Sequence, residues 1–447
     1  MAAQNTDNTV INSDSSLREG REPVLSAVEV KQSAPLTPKL RFKEFDGDWE
    51  NIRLLDLANL ITKGTTPKTF ASTGVNYVKI EGLVGININK DKCLYIDNEV
   101  HQKELKRSIL KENDLLFAIA GATVGKVGIV TSDILPANTN QALAIIRLKD
   151  KEYLNYILQI LQSRVMRKYI YQSVSVGAQP NLNLEQIGDF RFNLPSLREQ
   201  QKIASFLSAV DEKIQLLTKK KEALEQYKKG VMQQLFSQKI RFTPSLEDFK
   251  DELAQGMVID LAANYPDWEE KRLNEFCSFF SGGTPSSTNK EYYLGSIPFI
   301  GSGNIYDSKV NSFISKEALK NSSANLVEKG DILYALYGAN SGEVAISQLE
   351  GAINQAILCI RTQGSSKYLY YVLLYNKNKI VSKYLQGGQG NLSAQIIKKL
   401  KYKFPGIKEQ QKIANYLSEM DTKIKFVNQQ IEKTQTFKKG LLQQVFV

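Results

Sequence analysis

The last 43 residues of the chain repeat, without a gap, a segment that ends 210 residues earlier. Residues 195–237 align with residues 405–447, and 19 of the 43 positions are identical. Both copies carry EQQKIA, at Glu199 to Ala204 and Glu409 to Ala414, and later KKG followed by QQ. A period this long is not that of a solenoid, whose units run from about 20 to 50 residues. It predicts two domain-sized units, each closed by the same segment. Between the copies the halves match only in short islands, so variable units alternate with constant ones.

The repeated segments read as helices with an interrupted coiled-coil seam. Ile203, Leu207, Val210, Ile214, Leu217 and Leu224 fall on alternating four- and three-residue steps, continued by Val231 and Leu235. Ile413, Leu417, Met420, Ile424, Val427 and Ile431 take the same steps in the second copy. Lys221 and Lys228, and later Thr434 and Lys438, break the pattern. A seam of period 3.5 is what two helices need to wrap round each other, and it favours a mutual coiled coil over a helix packed on its own domain. Forty residues make a rod of roughly 60 Å. Pro195 and Pro405 mark the entries, and Gly230 and Gly440 are expected to weaken the last two turns by about 1 kcal/mol each.

Islands upstream extend the duplication. DWENIRL at 48–54 matches DWEEKRL at 267–273, and NDLLFAIAGATVGKVGI at 113–129 matches GDILYALYGANSGEVAI at 330–346. TNQALAIIRL at 139–148 matches INQAILCIRT at 353–362. The apolar runs ending at glycine read as buried strands, and YLNYILQILQ and YLYYVLLYNK as short helices. The expected fold is α+β: two mixed globular units and two long coiled-coil helices in a pseudo-two-fold internal repeat. The expected divisions are a mobile tail over 1–37, a first unit over 38–194, a first helix over 195–240, a linker and second unit over 241–404, and a second helix over 405–447.

Several function classes are excluded or disfavoured. The three cysteines are widely spaced and form no CxxC, which argues against disulfides and zinc and fits a reducing cytoplasm. The single histidine, His101, lies in a charged, surface-like stretch, which disfavours a serine hydrolase triad and any His-rich metal site. The start of the chain lacks a basic segment followed by an apolar one, and no apolar window of membrane-spanning length occurs. Neither GxxxxGK[ST] nor GxGxxG is present. PDWEEK at 266–271 carries the letters of a metal-dependent nuclease motif, but its carboxylates are nearly contiguous rather than on separate strands, and it reads as a turn opening the second unit. The net charge of +11 suits a polyanion partner.

Some islands suit nucleic-acid contact. KGTTPKT places Lys63, Thr65, Thr66 and Lys68 in a Gly/Thr/Pro turn; GGTPSST places Thr284, Ser286 and Ser287 in its counterpart, with Lys290 close by. Hydroxyls, lysines and small residues make phosphate contacts that position a duplex. GATVGK offers Thr123 and Lys126, and GANSGE offers Asn340 and Ser341. GAQPNL and GGQGNL offer Gln179 and Asn181, and Gln389 and Asn391. Amides can bond adenine edges in pairs. Those of Asn140-Gln141 and Asn354-Gln355 either do so or hold their loops.

The EQQKIA helices ending in KKG-x-x-QQ-x-F, the two GT-P turns, the paired strands ending in G-A-x-x-G and the two NQA runs together resemble the specificity subunit of type I restriction–modification systems, over roughly residues 39–447. The resemblance implies that each variable unit is a target recognition domain reading half of a bipartite DNA site, and that the two helices pair antiparallel as a spacer. It implies docking of two methyltransferase subunits on the helices, with restriction subunits joining that core. S-adenosylmethionine, ATP and magnesium would be bound by those partners and no cofactor by this chain, which would be non-catalytic. If helix length sets the spacing, a four-residue insertion near Lys219 should change the number of unread base pairs. Other readings are a lone nuclease or methyltransferase, which lacks its motifs, and a DNA-binding regulator or scaffold acting without methyltransferases.

Overall fold

The computed structural model describes residues 38–173, 180–250, 254–255, 265–385 and 391–446. The expected tail, residues 1–37, lies outside them. Two compact units form. One contains the described residues up to Ala204 together with those after Gly440; the other is Ser205–Gly440.

The two units repeat one plan. In the first, strands Ala58–Lys63, Leu143–Leu148, Leu115–Ala118 and Val127–Ile129 lie side by side in that order, each antiparallel to its neighbour. In the second, Cys277–Ser281, Ile357–Thr362, Ile332–Ala335 and Val344–Ile346 do the same. The central LLFA and ILYA strands are buried along their whole length, as expected of continuous apolar runs covered on both faces. A smaller sheet flanks each, with one parallel pair: Val75–Val78 with Ala137–Thr139, and Ile297–Ile300 with Gly351–Ile353. A further pair joins the start of each unit to its end, Glu50–Arg53 with Arg191–Leu194 and Glu269–Arg272 with Lys401–Phe404. PDWEEK therefore opens the second unit through a strand, with Glu270 paired to Lys401.

Two ion pairs recur at equivalent places. Arg147 grips Asp114 with both arms at 2.7 Å. Arg361 grips Asp331 the same way, at 2.8 and 2.7 Å. Each Asp also caps its own turn by accepting from the backbone N–H of Lys111 or Glu328. The Glu of each EQQKIA is almost fully buried and receives an arginine fork: Arg41 on Glu199 and Arg241 on Glu409. The same arginines donate to carbonyls just before each tryptophan, of Asp46 and Gly47 and of Tyr265 and Pro266. The first Gln of the motif donates to the carbonyl of Pro195 or Pro405. Much of the motif's identity between halves is thus structural: it fastens the helix entry to the chain that opens the unit.

His101 is not on the surface; it is buried and hydrogen-bonded to Asn138, which also donates to Ser108 Oγ and the Leu105 carbonyl. This is a satisfied buried polar network, and Ser108 is fully buried. YLYYVLLYNK does not end as a short helix; it opens the 20-residue helix Ser366–Leu385. Its counterpart is split into Leu154–Leu161 and Arg164–Ser173.

The long helices are Leu197–Phe236 and Ile407–Gln444. Every expected seam residue is buried or half-buried. The pairing is antiparallel: Asp211 meets Lys438, Lys221 meets Asn428 and Lys228 meets Asp421. Each step forward on one helix is an equal step back on the other, as a constant register requires. The lysines read as breaks are therefore part of the seam. Lys228 donates to Asp421 at 2.5 Å and Lys438 to Asp211 at 2.7 Å. These are the same two positions of the repeat, used once in each direction. Burial lowers the pKa of Lys438 and Asp211 pulls it back up. Gly230 and Gly440 do not end the helices. Met232 and Leu235 beyond one, and Leu442 and Val445 beyond the other, are buried, so tertiary packing overrides the local cost.

Removing one partner of a buried pair strands the other charge and costs about 3 kcal/mol or more. Lys438 is more enclosed than Lys228, with side chains 9% and 12% exposed. Asp211→Ala should therefore destabilise the protein more than Asp421→Ala in urea unfolding, while Asp211→Leu with Lys438→Met should restore most of the loss.

Candidate nucleic-acid interface

Antiparallel order decides where the candidate residues go. The end of Ala58–Lys63, the start of Leu143–Leu148, the end of Leu115–Ala118 and the start of Val127–Ile129 all lie at one edge of the first sheet. The GTTPK turn, the NQA loop and the GATVGK loop leave from that edge. Asn181 joins them, bridged to Ala120, with Leu182 N–H donating to the Ile119 carbonyl. In the second unit the same edge gathers GGTPSS, INQA and GANSGE, and Leu392 N–H donates to the Leu336 carbonyl.

The turn and the NQA loop are locked together. Thr66 Oγ1 donates to Gln141 Oε1, and Thr284 Oγ1 donates to Gln355 Oε1. Asn140 and Asn354 accept from the N–H groups of Ala142 and Ala356, two residues on. The two amides of each NQA run thus divide their roles. The Asn shapes the loop; the Gln is exposed beside the threonine. The sequence leaves both amides of each run open as base contacts or loop braces, and the structure gives the bracing to the Asn. Gly64 and Gly282 permit the contact, because a Cβ there would sit 2.0 Å from the Thr139 oxygen and 1.7 Å from the Ile353 oxygen.

Lys63, Thr66, Lys68, Lys126 and Asn181 are exposed at the first edge, and Thr65 and Thr123 are half-buried. At the second edge Thr284, Ser286, Ser287, Lys290 and Asn391 are exposed. Asn340 donates to the Ser302 carbonyl and Ser341 Oγ to the Leu336 carbonyl, so these two brace their loop. Gln179 and Gln389 lie outside the described residues. The edges differ in charge. Lys126 is replaced in the second unit by Glu343, which is bound by Lys377 and Tyr306. The shared frame therefore presents different groups from each copy.

Among the described residues no cluster of three or more His, Cys, Asp or Glu is placed to hold a metal ion. Burial pushes the Cys277 thiol up to about 11 and raises Cys93, the opposite of an activated nucleophile. No described helix is long and apolar enough to cross a membrane.

The family model for the type I restriction modification DNA specificity domain matches residues 46–226 and again residues 265–435. The chain belongs to this family. Two copies of the domain account for both units. A putative type I restriction enzyme MjaX specificity subunit of Methanocaldococcus jannaschii is 26% identical over 420 residues, 90% of this chain and 94% of that protein. The EcoBI specificity subunit of Escherichia coli is 28% identical over 193 residues, 42% of this chain and 38% of its own. In fold the chain is similar to the S subunit from M. genitalium, with a TM-score of 0.56 at 18% identity over 92% of this chain and 99% of that one. A chain from a structure of type I restriction–modification complex assembly gives 0.51, also at 18% identity, over 88% of this chain and 96% of that one.

The glycine contacts make a direct prediction for this specificity fold. Gly64→Ala and Gly282→Ala each force backbone apart at the interface edge. Each should lower stability by about 1–3 kcal/mol, seen as a lower melting temperature, whereas Gly47→Ala, with open space around it but φ +82°, should cost only the smaller strain of its turn.

Proposed function

We propose that this chain is the non-catalytic DNA-specificity subunit of a type I restriction–modification complex, with each sheet edge reading one half of an asymmetric bipartite site. The observation that carries the reading is the pair of equivalent loop clusters, on equivalent sheets, presenting different side chains. Exposed Thr, Ser, Asn, Gln and Lys at these edges supply positioning contacts and base contacts of the kinds a duplex requires. The family match over both halves favours this role over a regulator or scaffold working alone. Adenine methylation with S-adenosylmethionine, and ATP- and magnesium-dependent restriction, would reside in methyltransferase and restriction subunits.

The long helices would dock two methyltransferase subunits. Outside the seam, Leu216 and Tyr227 on the first helix and their repeat equivalents Phe426 and Phe437 on the second are 60%, 57%, 58% and 55% exposed. Large apolar side chains held in water at matched positions suit two copies of one partner. Leu216→Glu with Phe426→Glu should abolish co-purification of the methyltransferase subunit while leaving the helix signal in circular dichroism unchanged.

Sequencing of methylated bases in a host carrying the chain and its methyltransferase, with and without this chain, tests the whole reading. Methylation at one asymmetric bipartite adenine motif should vanish without it; an unchanged methylome would count against the role. The helix register sharpens the spacing test. Seven residues inserted after both Lys219 and Gln430 keep both Lys–Asp pairs in register and lengthen the rod by about 10 Å. The unread gap should widen by about three base pairs. An unaltered gap would exclude the helices as a ruler.

A further inference from the structure

The helix Arg164–Ser173, RVMRKYIYQS, turns a basic face to solvent. Met166 is buried on one side. Arg164, Arg167, Lys168 and Tyr171 are all exposed, Tyr171 to 86%. Spacings of three and four put the four on one stripe, about 10 Å long at 1.5 Å per residue. The helix contains no carboxylate, and among the described residues none of the three cations has an ion-pair partner. That sets them apart from Arg41, Arg147, Arg241 and Arg361, which are all committed to buried or half-buried carboxylates.

The position of the helix matters as much as its charge. A Cβ on Gly125, in the GATVGK loop, would lie 2.9 Å from Ile170 Cδ1. Tyr169 donates to the Gln186 carbonyl, and Gln186 donates to the Ser173 carbonyl. The inner face of the helix is therefore pressed on the loop edge, and its outer face continues that edge into solvent. In the second unit a Cβ on Gly342 would lie 2.4 Å from Val381 Cγ2, so the last turns of Ser366–Leu385 pack on GANSGE in the same way. There Lys379 and Lys383 are exposed four residues apart, with Tyr375 a turn earlier.

We propose that Arg164, Arg167 and Lys168, with Tyr171 beside them, form a track for the sugar–phosphate backbone of duplex DNA flanking the base-reading loops of the first unit, and that Lys379 and Lys383 form a weaker equivalent in the second. The occupant is argued from charge and continuity. Three unneutralised cations over about 10 Å match a strand that carries one phosphate per 3.4 Å of axis, and the stripe continues an edge already lined by Lys63, Lys68 and Lys126. Such contacts bind every sequence alike, so the track would raise affinity and fix the register of the duplex without choosing bases. The proposal rests on the DNA-binding reading above.

The test uses the full chain assembled with its methyltransferase subunit. Fluorescence anisotropy follows binding to duplexes of about 40 base pairs, one carrying the methylated motif and one of unrelated sequence, across a salt titration. R164A/R167A/K168A should lower the slope of log affinity against log salt by about 2 to 3. It should weaken both duplexes by the same factor and leave the methylated motif unchanged. Arg164→Lys with Arg167→Lys should keep the slope, which guards against a folding defect. Lys111→Ala, Lys149→Ala and Lys151→Ala together remove as many exposed charges from the opposite edge of the first sheet and should leave the slope as it was. An unchanged slope in the first variant, an equal loss in this control, or a change of motif would each overturn the track. A wild-type complex that binds neither duplex would instead remove the DNA-binding reading itself, and the track with it.

Discussion

The antiparallel seam between the long helices is the constraint on which the rest depends. An apolar stripe of period 3.5 brings helices together, but by itself it tolerates slippage by a heptad. Here Lys228 with Asp421 and Lys438 with Asp211 pin one register from both directions. A slip of one heptad would part both buried lysines from their carboxylates, which is far costlier than the modest net gain of the correct pair. The pairs act through the alternatives they exclude.

The second constraint is the antiparallel sheet of each unit. Once four strands lie in this order, three loops must leave from one edge whatever their sequence. The frame residues recur between halves because each satisfies a buried requirement: Asp114 and Asp331 hold an arginine, Glu199 and Glu409 hold another, and Gly64 and Gly282 let a turn lie against backbone. What varies is what those loops carry, as where Lys126 gives way to Glu343. A repeated frame with unlike loops can read an asymmetric target.

Much of this was legible in the sequence, for physical reasons. Helix periodicity survives into sequence because burial acts on fixed spacings, and every seam residue named from the pattern is at least half-buried. The turns and loops named as nucleic-acid contacts do converge, since their repetition in both halves marked them. The failures share one cause. His101, Lys228 and Lys438 were read from local polarity, and each is enclosed by partners distant in sequence. Asn340 and Ser341 looked like free polar groups and instead brace backbone. The cation stripe of Arg164–Ser173 was legible by spacing but carried no meaning until the helix was seen against Gly125.

The sequence by itself determined the duplication, the α+β class, the two long helices and their family, because repeats and periodicity are one-dimensional properties. Only the tertiary structure decided which polar residues are spent inside the fold and which remain to meet a partner. Burial, ion pairing and hydrogen bonding join residues far apart in the chain, such as Asp211 with Lys438 and Thr66 with Gln141. No local pattern records those meetings.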